Sequence, residues 1–573
     1  MKKFSLFMLF LIILGGLFYL LSSHLESDID PVSLLPSGTI TLLDLHNPAK
    51  SYARFKKSRL GRKIDSIPRK EILLELGLTD EQADHFATRS YEIQTILESP
   101  LFREIIGRRA LFALLPASAE AMHISGRSDL RDQLLLICRP QHRASLLKLF
   151  SYFFTGSYEY RSYSYMGKSI RKYTFDNMLS VYSSVTDGLV VIALSEKSLQ
   201  DALVRSLKYM TGSRTGLDTS EKYINLKKRA EGRDDQFFYV DLEKITAGLN
   251  ENGGGPRQLM TNQANRNLLP LSFPYSRFAF YRQSEKYKFK YSAVLQYNHK
   301  NHGPRKSLLF APPVRNRTLQ NLPADLVLYF WTNVFNFNSL WNTILQTAGP
   351  QQVEILNYLE QWTMSRTGLS MDQVSDLFGH QFSLNIAEIR TSGFLPLPRV
   401  CVRLELVDPA GTEAVIKQLF DEFTMQQVMV GHHTVHSLML AGGLMRPSYA
   451  FVDNFLVIAD SQEQIIHVLE KKKKLLIRDS SFKKIDIGLN KPNNIVLYFK
   501  TDQLVESIKE IFSLVGTLIP NDAQKNGAAG KIIVDRVLLP VLDGLKMFEA
   551  KSVRGFYNES EIIMESALLL KNE

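Results

Sequence analysis

The chain is short of cysteine. There are two in 573 residues, Cys138 and Cys401, each inside an apolar run (Leu134–Cys138 and Val400–Val402). So few exclude a disulfide scaffold, and both read as small buried hydrophobes. Motifs of catalysis are missing as well. No nucleophile elbow, His-Glu-x-x-His or Walker loop occurs. Gly253-Gly-Gly255 is followed by Pro256-Arg257. It therefore reads as a loop and not as a phosphate cradle, which needs Lys-Ser/Thr and a helix behind it. Charge is present but not concentrated. The net charge is +11 and the pI near 9.2, yet the densest uninterrupted run is Lys471 to Lys474. Without an accompanying motif this gives no reason to expect nucleic acid as a partner. The hydrophobic share of 45% and charged share of 22% are ordinary for globular protein.

Long apolar runs are also scarce, with one exception. Lys2 and Lys3 precede an uncharged stretch from Phe4 to Ser23. Twenty helical residues span about 30 Å, the thickness of a bilayer core. Small residues at a cleavage site are wanting, so residues 1–32 read as an uncleaved anchor. The charge order, with Glu26, Asp28 and Asp30 beyond the run, would put the body outside the cytoplasm, facing the periplasm or cell exterior.

What the chain does have is a repeat. Asp187-Gly-Leu-Val-Val-Ile-Ala-Leu-Ser195 is echoed by Asp453-Asn-Phe-Leu-Val-Ile-Ala-Asp-Ser461. Each is a strand entered through a turn whose residues tolerate positive φ, and each leads into an amphipathic helix. Leu35-Pro36 and Leu322-Pro323 open the two halves, Gly167 and Gly431 mark hairpins, and Asn265–Pro270 matches Asp535–Pro540. The order of features predicts an α+β fold of two tandem copies, at 33–298 and 322–573. Each copy is a mixed, mainly antiparallel sheet with helices, and one transmembrane helix precedes the pair. Residues 299–321 read as a basic linker.

Candidate sites are few. His380, His432, His433 and His436 could suggest a metal, but strand alternation sends His432 and His433 to opposite faces, so no metal or other cofactor is expected. Tyr158, Tyr160, Tyr163 and Tyr165 form a ribbon better explained by hairpin packing than by a stacking platform. The best partner surface is an amphipathic helix in the second copy, carrying Leu504, Ile508, Ile511, Phe512 and Val515 at helical spacing.

The Leu-Pro openings and the strands Leu189–Ser195 and Phe455–Ser461 resemble those of uncharacterised bacterial envelope proteins known only as a domain of unknown function. The resemblance implies an envelope location and supplies no activity and no site residues. The reading is a membrane-tethered binding or assembly protein outside the cytoplasm, with an envelope protein or polymer as partner and a leaning against enzymatic activity. Its alternatives are a carrier of lipid or another apolar ligand, and a hydrolase whose site is assembled across loops.

Overall fold

The computed structural model describes residues 29–116, 133–141, 160–175, 179–230, 232, 235–245, 275–297, 311–390, 397–440, 445–470, 474–518, 524–558 and 560–571. The chain divides into two compact units. The first comprises residues up to Lys57, Thr79–Gln283 and Leu295–Tyr297. The second comprises Ser58–Leu78, Ser284–Val294 and everything from Asn298 onward.

In the first unit the strands are β1 (Thr41–His46), β2 (Arg109–Leu114), β3 (Leu134–Arg139), β4 (Tyr160–Tyr165), β5 (Lys168–Phe175), β6 (Leu179–Thr186), β7 (Leu189–Ala193), β8 (Gln236–Asp241) and β9 (Tyr275–Ser284). All pairings are antiparallel, in the order β4-β5-β6-β7-β3-β2-β1-β8-β9. A further strand, β10 (Lys288–Tyr297), is shared out between the two units.

The second unit opens with β11 (Val314–Arg315), which later pairs with β19 (Pro492–Asn493) as a small separate sheet. Its main strands are β12 (Leu328–Thr332), β13 (Phe378–Arg390), β14 (Leu397–Leu406), β15 (Met425–Val430), β16 (His433–Leu438), β17 (Ser448–Val452), β18 (Phe455–Ala459), β20 (Ile495–Lys500), β21 (Phe548–Tyr557) and β22 (Glu561–Leu570). They pair antiparallel in the order β15-β16-β17-β18-β14-β13-β12-β20-β21-β22. Strand for strand this is the order of the first unit. The correspondence is one of topology; strand order alone says nothing of descent.

Local chemistry explains the shared layout. Asp187 (φ 49°) and Asp453 (φ 52°) both occupy the left-handed region that a two-residue hairpin turn demands and that short polar side chains tolerate. The Leu-Pro pairs make the same contact in each unit, an isolated bridge from Pro36 to Gly216 and from Pro323 to Leu475. Leu217 N–H donates to the Leu35 carbonyl at 2.8 Å, and Leu476 N–H to the Leu322 carbonyl at 2.9 Å. The helices behind the repeated strands bury their apolar positions. Leu199, Ala202 and Leu203 are fully buried in one, Ile465 and Val468 in the other. Each such leucine contributes roughly 1.5–3 kcal/mol.

The architecture is α+β, but the expectation of one transmembrane helix ahead of it, with its membrane and single-pass reading, is corrected. No helix among the described residues is long and apolar enough to cross a membrane. Those of sufficient length carry charged residues within them. Asp80–Glu98, for example, carries Asp84, Arg89 and Glu92 along its middle, which hydrocarbon would not tolerate. Phe4–Ser23 lies outside the described residues, as do Tyr158, Gly253–Gly255, Asn265–Pro270 and Lys471–Lys473.

Candidate functional site

Each unit buries charge under its sheet, and the two do so differently. In the first unit the fully buried Asp44 on β1 faces Arg109 on β2. Arg109 Nε donates to Asp44 Oδ1 and Nη2 to Oδ2, both at 2.8 Å. Arg109 Nη1 also donates to Asp30 Oδ1 at 2.9 Å, and Lys227 Nζ reaches Asp44 Oδ2 at 3.4 Å. Burial alone would raise the Asp44 carboxyl; the His46, Arg109 and Lys227 partners outweigh it and hold the group well below the usual carboxylate range. Arg109 in turn is held above its ordinary value by the same carboxylates, against its desolvation. This cluster is saturated and structural.

In the second unit Arg403 on β14 is buried, and its hydrogen-bonding capacity is not filled. Alternation along β14 puts Cys401, Arg403 and Glu405 on one face. Across the ladders Arg403 is opposite Ser383 on β13 and Val457 on β18, and Ser383 is opposite Trp331 on β12. Arg403 is 7% exposed. Among the described residues its Nε has no hydrogen-bond partner; neither does Ser383 Oγ or Trp331 Nε1. Glu405, two residues along, does not compensate it: that carboxylate accepts from Gln381 N–H at 3.0 Å and Gln381 Nε2 at 2.8 Å.

Arg403 lines a cavity of about 670 Å³. The floor includes Val457 and Phe455 of β18 with Val452 of β17 and His433 of β16. One wall is the end of the Gln462–Leu469 helix, through Val468, Leu469 and Glu470. Another is the segment Arg317, Thr318 and Asn321. That segment is fixed from behind. Asn316 is buried, its Nδ2 donates to Tyr329 OH at 2.7 Å, and its Oδ1 accepts from Thr318 N–H at 3.1 Å and Leu319 N–H at 3.2 Å. His433 Nδ1 stands 3.1 Å from the Phe451 carbonyl oxygen. A carbonyl only accepts, so this nitrogen carries a hydrogen and the ring's orientation is set. The lining thus offers a buried guanidinium, an exposed one at Arg317, a histidine, and an apolar wall of Val452, Phe455, Val457, Val468, Leu469 and Leu475. Asp453 and Glu470 are exposed at the margin. Chemically it suits a compact ligand with one anionic group and an apolar body.

The residues singled out from sequence fall elsewhere. Leu504, Ile508 and Phe512 on the Thr501–Leu518 helix are half-buried and Ile511 is 39% exposed, while the Val515 side chain lies outside the described residues. The helix packs on β21 and on the Leu539–Leu545 helix, with Val505 the most buried apolar side chain among those described on it. The histidines are dispersed: His380 Nδ1 lies 3.0 Å from the Phe335 carbonyl oxygen, and His436 stacks on Tyr449 with ring centroids 4.9 Å apart. Among the described residues no three His, Cys, Asp or Glu side chains stand together as a metal site. Tyr163 and Tyr165 share a face of β4, and the Tyr160 side chain lies outside the described residues. Arg403 itself escaped the sequence reading. Its signal was parity: in Val400-Cys-Val-Arg-Leu-Glu-Leu406 the even positions are wholly apolar and the odd ones are not.

No family model matches the chain, and no curated protein does. Among solved structures, crystal form III of TP0453 matches with a TM-score of 0.26 and 12% identity, covering 48% of this chain and 84% of that one. Crystal form I of TP0453 gives a TM-score of 0.26 and 12% identity, over 48% of this chain and 82% of that one. A likeness at that TM-score carries no argument, and the site is read from its own geometry.

Proposed function

We propose that the protein acts by binding, and that the second unit holds a compact small molecule by an anionic group, carboxylate or phosphate, set against Arg403. The observation that carries this is a buried guanidinium that makes no ion pair among the described residues and whose Nε has no hydrogen-bond partner there. A buried ion without a partner costs several kcal/mol, and chains keep such groups where something charged meets them. The first unit of this same chain surrounds its buried Asp44 with Arg109, Lys227 and His46 and pairs its buried Arg277 with Glu243 at 2.9 Å, whereas Arg403, beside a cavity, makes no ion pair among the described residues. A guanidinium also suits an anion's fork geometry better than any other side chain. The apolar wall then selects for the ligand's body, as ligand pockets of this size generally do.

Thermal-shift measurement with benzoate, phenyl phosphate and neutral benzyl alcohol tests the proposal. The two anions should stabilise the full-length protein by mass action and the alcohol should not. Equal shifts from all three, or none from either anion, would sink it.

A further inference from the structure

The first unit contains a second cavity of different chemistry, about 420 Å³, on the sheet face opposite the Asp44 cluster. Its floor is a cross-strand row. Arg282 on β9 is opposite Gln236 on β8, Gln236 opposite Leu45 on β1, and Leu45 opposite Ala110 on β2, with Phe112 two residues on. Over this row lie Tyr52 and Phe55 of the Pro48–Lys57 helix, Leu97 of the Asp80–Glu98 helix and Phe102 of the Pro100–Ile105 helix. Two of the aromatic rings remain open to the space: Phe55 is 40% exposed and Phe112 43%. The charged side chains lining the cavity are Arg103 and Arg282, both cationic, with no carboxylate among the lining residues; His46 also borders it, but its ring turns to Asp44 on the other face, 3.4 Å away.

We infer that this cavity takes a single acyl chain ending in a carboxylate, a free fatty acid in chemical class. The volume lies within the roughly 300–1,000 Å³ range of ligand pockets. An apolar body accounts for the floor and roof, since each buried methylene contributes about 0.8 kcal/mol. The all-cationic rim fixes the sign of the head, because a cationic head would meet like charge from Arg103 and Arg282. The inference is independent of Arg403, and the experiment keeps it so by using the full chain carrying Arg403→Gln, in which the second unit's guanidinium cannot capture a carboxylate. Calorimetric titration compares decanoate, below its micellar concentration, with decyltrimethylammonium. Decanoate should bind at least tenfold tighter. Ser51→Trp, which puts an indole into the cavity from the Pro48–Lys57 helix, should abolish binding, and Arg103→Glu, at an exposed position, should weaken decanoate several-fold without weakening decyltrimethylammonium. Equal affinities for the two amphiphiles would overturn the inference, as would full decanoate binding by Ser51→Trp with a native circular dichroism spectrum. If Ser51→Trp does not fold, Arg103→Glu decides: unchanged decanoate affinity there also overturns it.

Discussion

Arg403 on β14 lies directly opposite Ser383 on β13, and neither Arg403 Nε nor Ser383 Oγ finds a hydrogen-bond partner among the described residues. Two polar groups so placed are a thermodynamic burden on the empty protein. Arg403→Met, which keeps the length of the side chain and removes its charge, should therefore raise the melting temperature of the ligand-free chain or leave it unchanged. Loss of an ordinary structural arginine would lower it. Scanning calorimetry without added anion checks this, and a fall of several degrees would show that Arg403 is held by the fold itself.

The saturated cluster of the first unit should behave in the opposite way. Arg109→Ala strands the buried Asp44 carboxylate and is expected to cost about 3–5 kcal/mol in denaturant unfolding. The sign of the pH dependence follows from Asp44. Its folded-state pKa lies below the unfolded value, so its contribution is complete above the ordinary aspartate value of about 3.9 and drains away as pH falls below it. Asp44→Asn should flatten the acid limb of the stability profile below about pH 4. An unchanged acid limb in that variant would assign the loss to other carboxylates.

The two turn aspartates share a backbone conformation but not their side-chain contacts. Asp187 accepts from Lys168 Nζ at 3.0 Å, Thr186 Oγ1 at 2.6 Å and Ser206 Oγ at 2.5 Å. Asp453 stands exposed at the cavity margin. Asp187→Gly should cost about 2 kcal/mol through three lost bonds, and Asp453→Gly less than about 0.5 kcal/mol, since glycine accepts the positive φ. Comparable costs at the two sites would contradict this.

These turns were legible in the sequence because their chemistry is local: a two-residue turn needs positive φ, and Asp187-Gly188 and Asp453-Asn454 announce it. The Leu-Pro openings and the buried Leu199 and Ile465 positions were legible for the same reason. Arg403 was not, because its meaning depends on β13 and β18 arriving beside it from elsewhere in the chain. Helical spacing was similarly limited on Thr501–Leu518. The stripe Leu504, Ile508, Ile511 marks an apolar side but not its depth, and the deepest apolar residue among those described is Val505. Ile511→Asp should accordingly change stability by no more than about 1 kcal/mol, while Val505→Asp, placing a charge in the core, should unfold the second unit. If Ile511→Asp unfolds it instead, that side of the helix is core and offers no partner surface.

The central claim is that Arg403 meets an anion, and calorimetric titration of phenyl phosphate tests it most directly. Wild-type protein should bind one equivalent at the second unit. Arg403→Gln should lose at least tenfold in affinity, as expected when a charged hydrogen bond worth about 1.5–3 kcal/mol is removed. The exposed Arg317→Gln should lose several-fold less. Equal losses at the two arginines, or wild-type affinity in folded Arg403→Gln, would contradict the assignment.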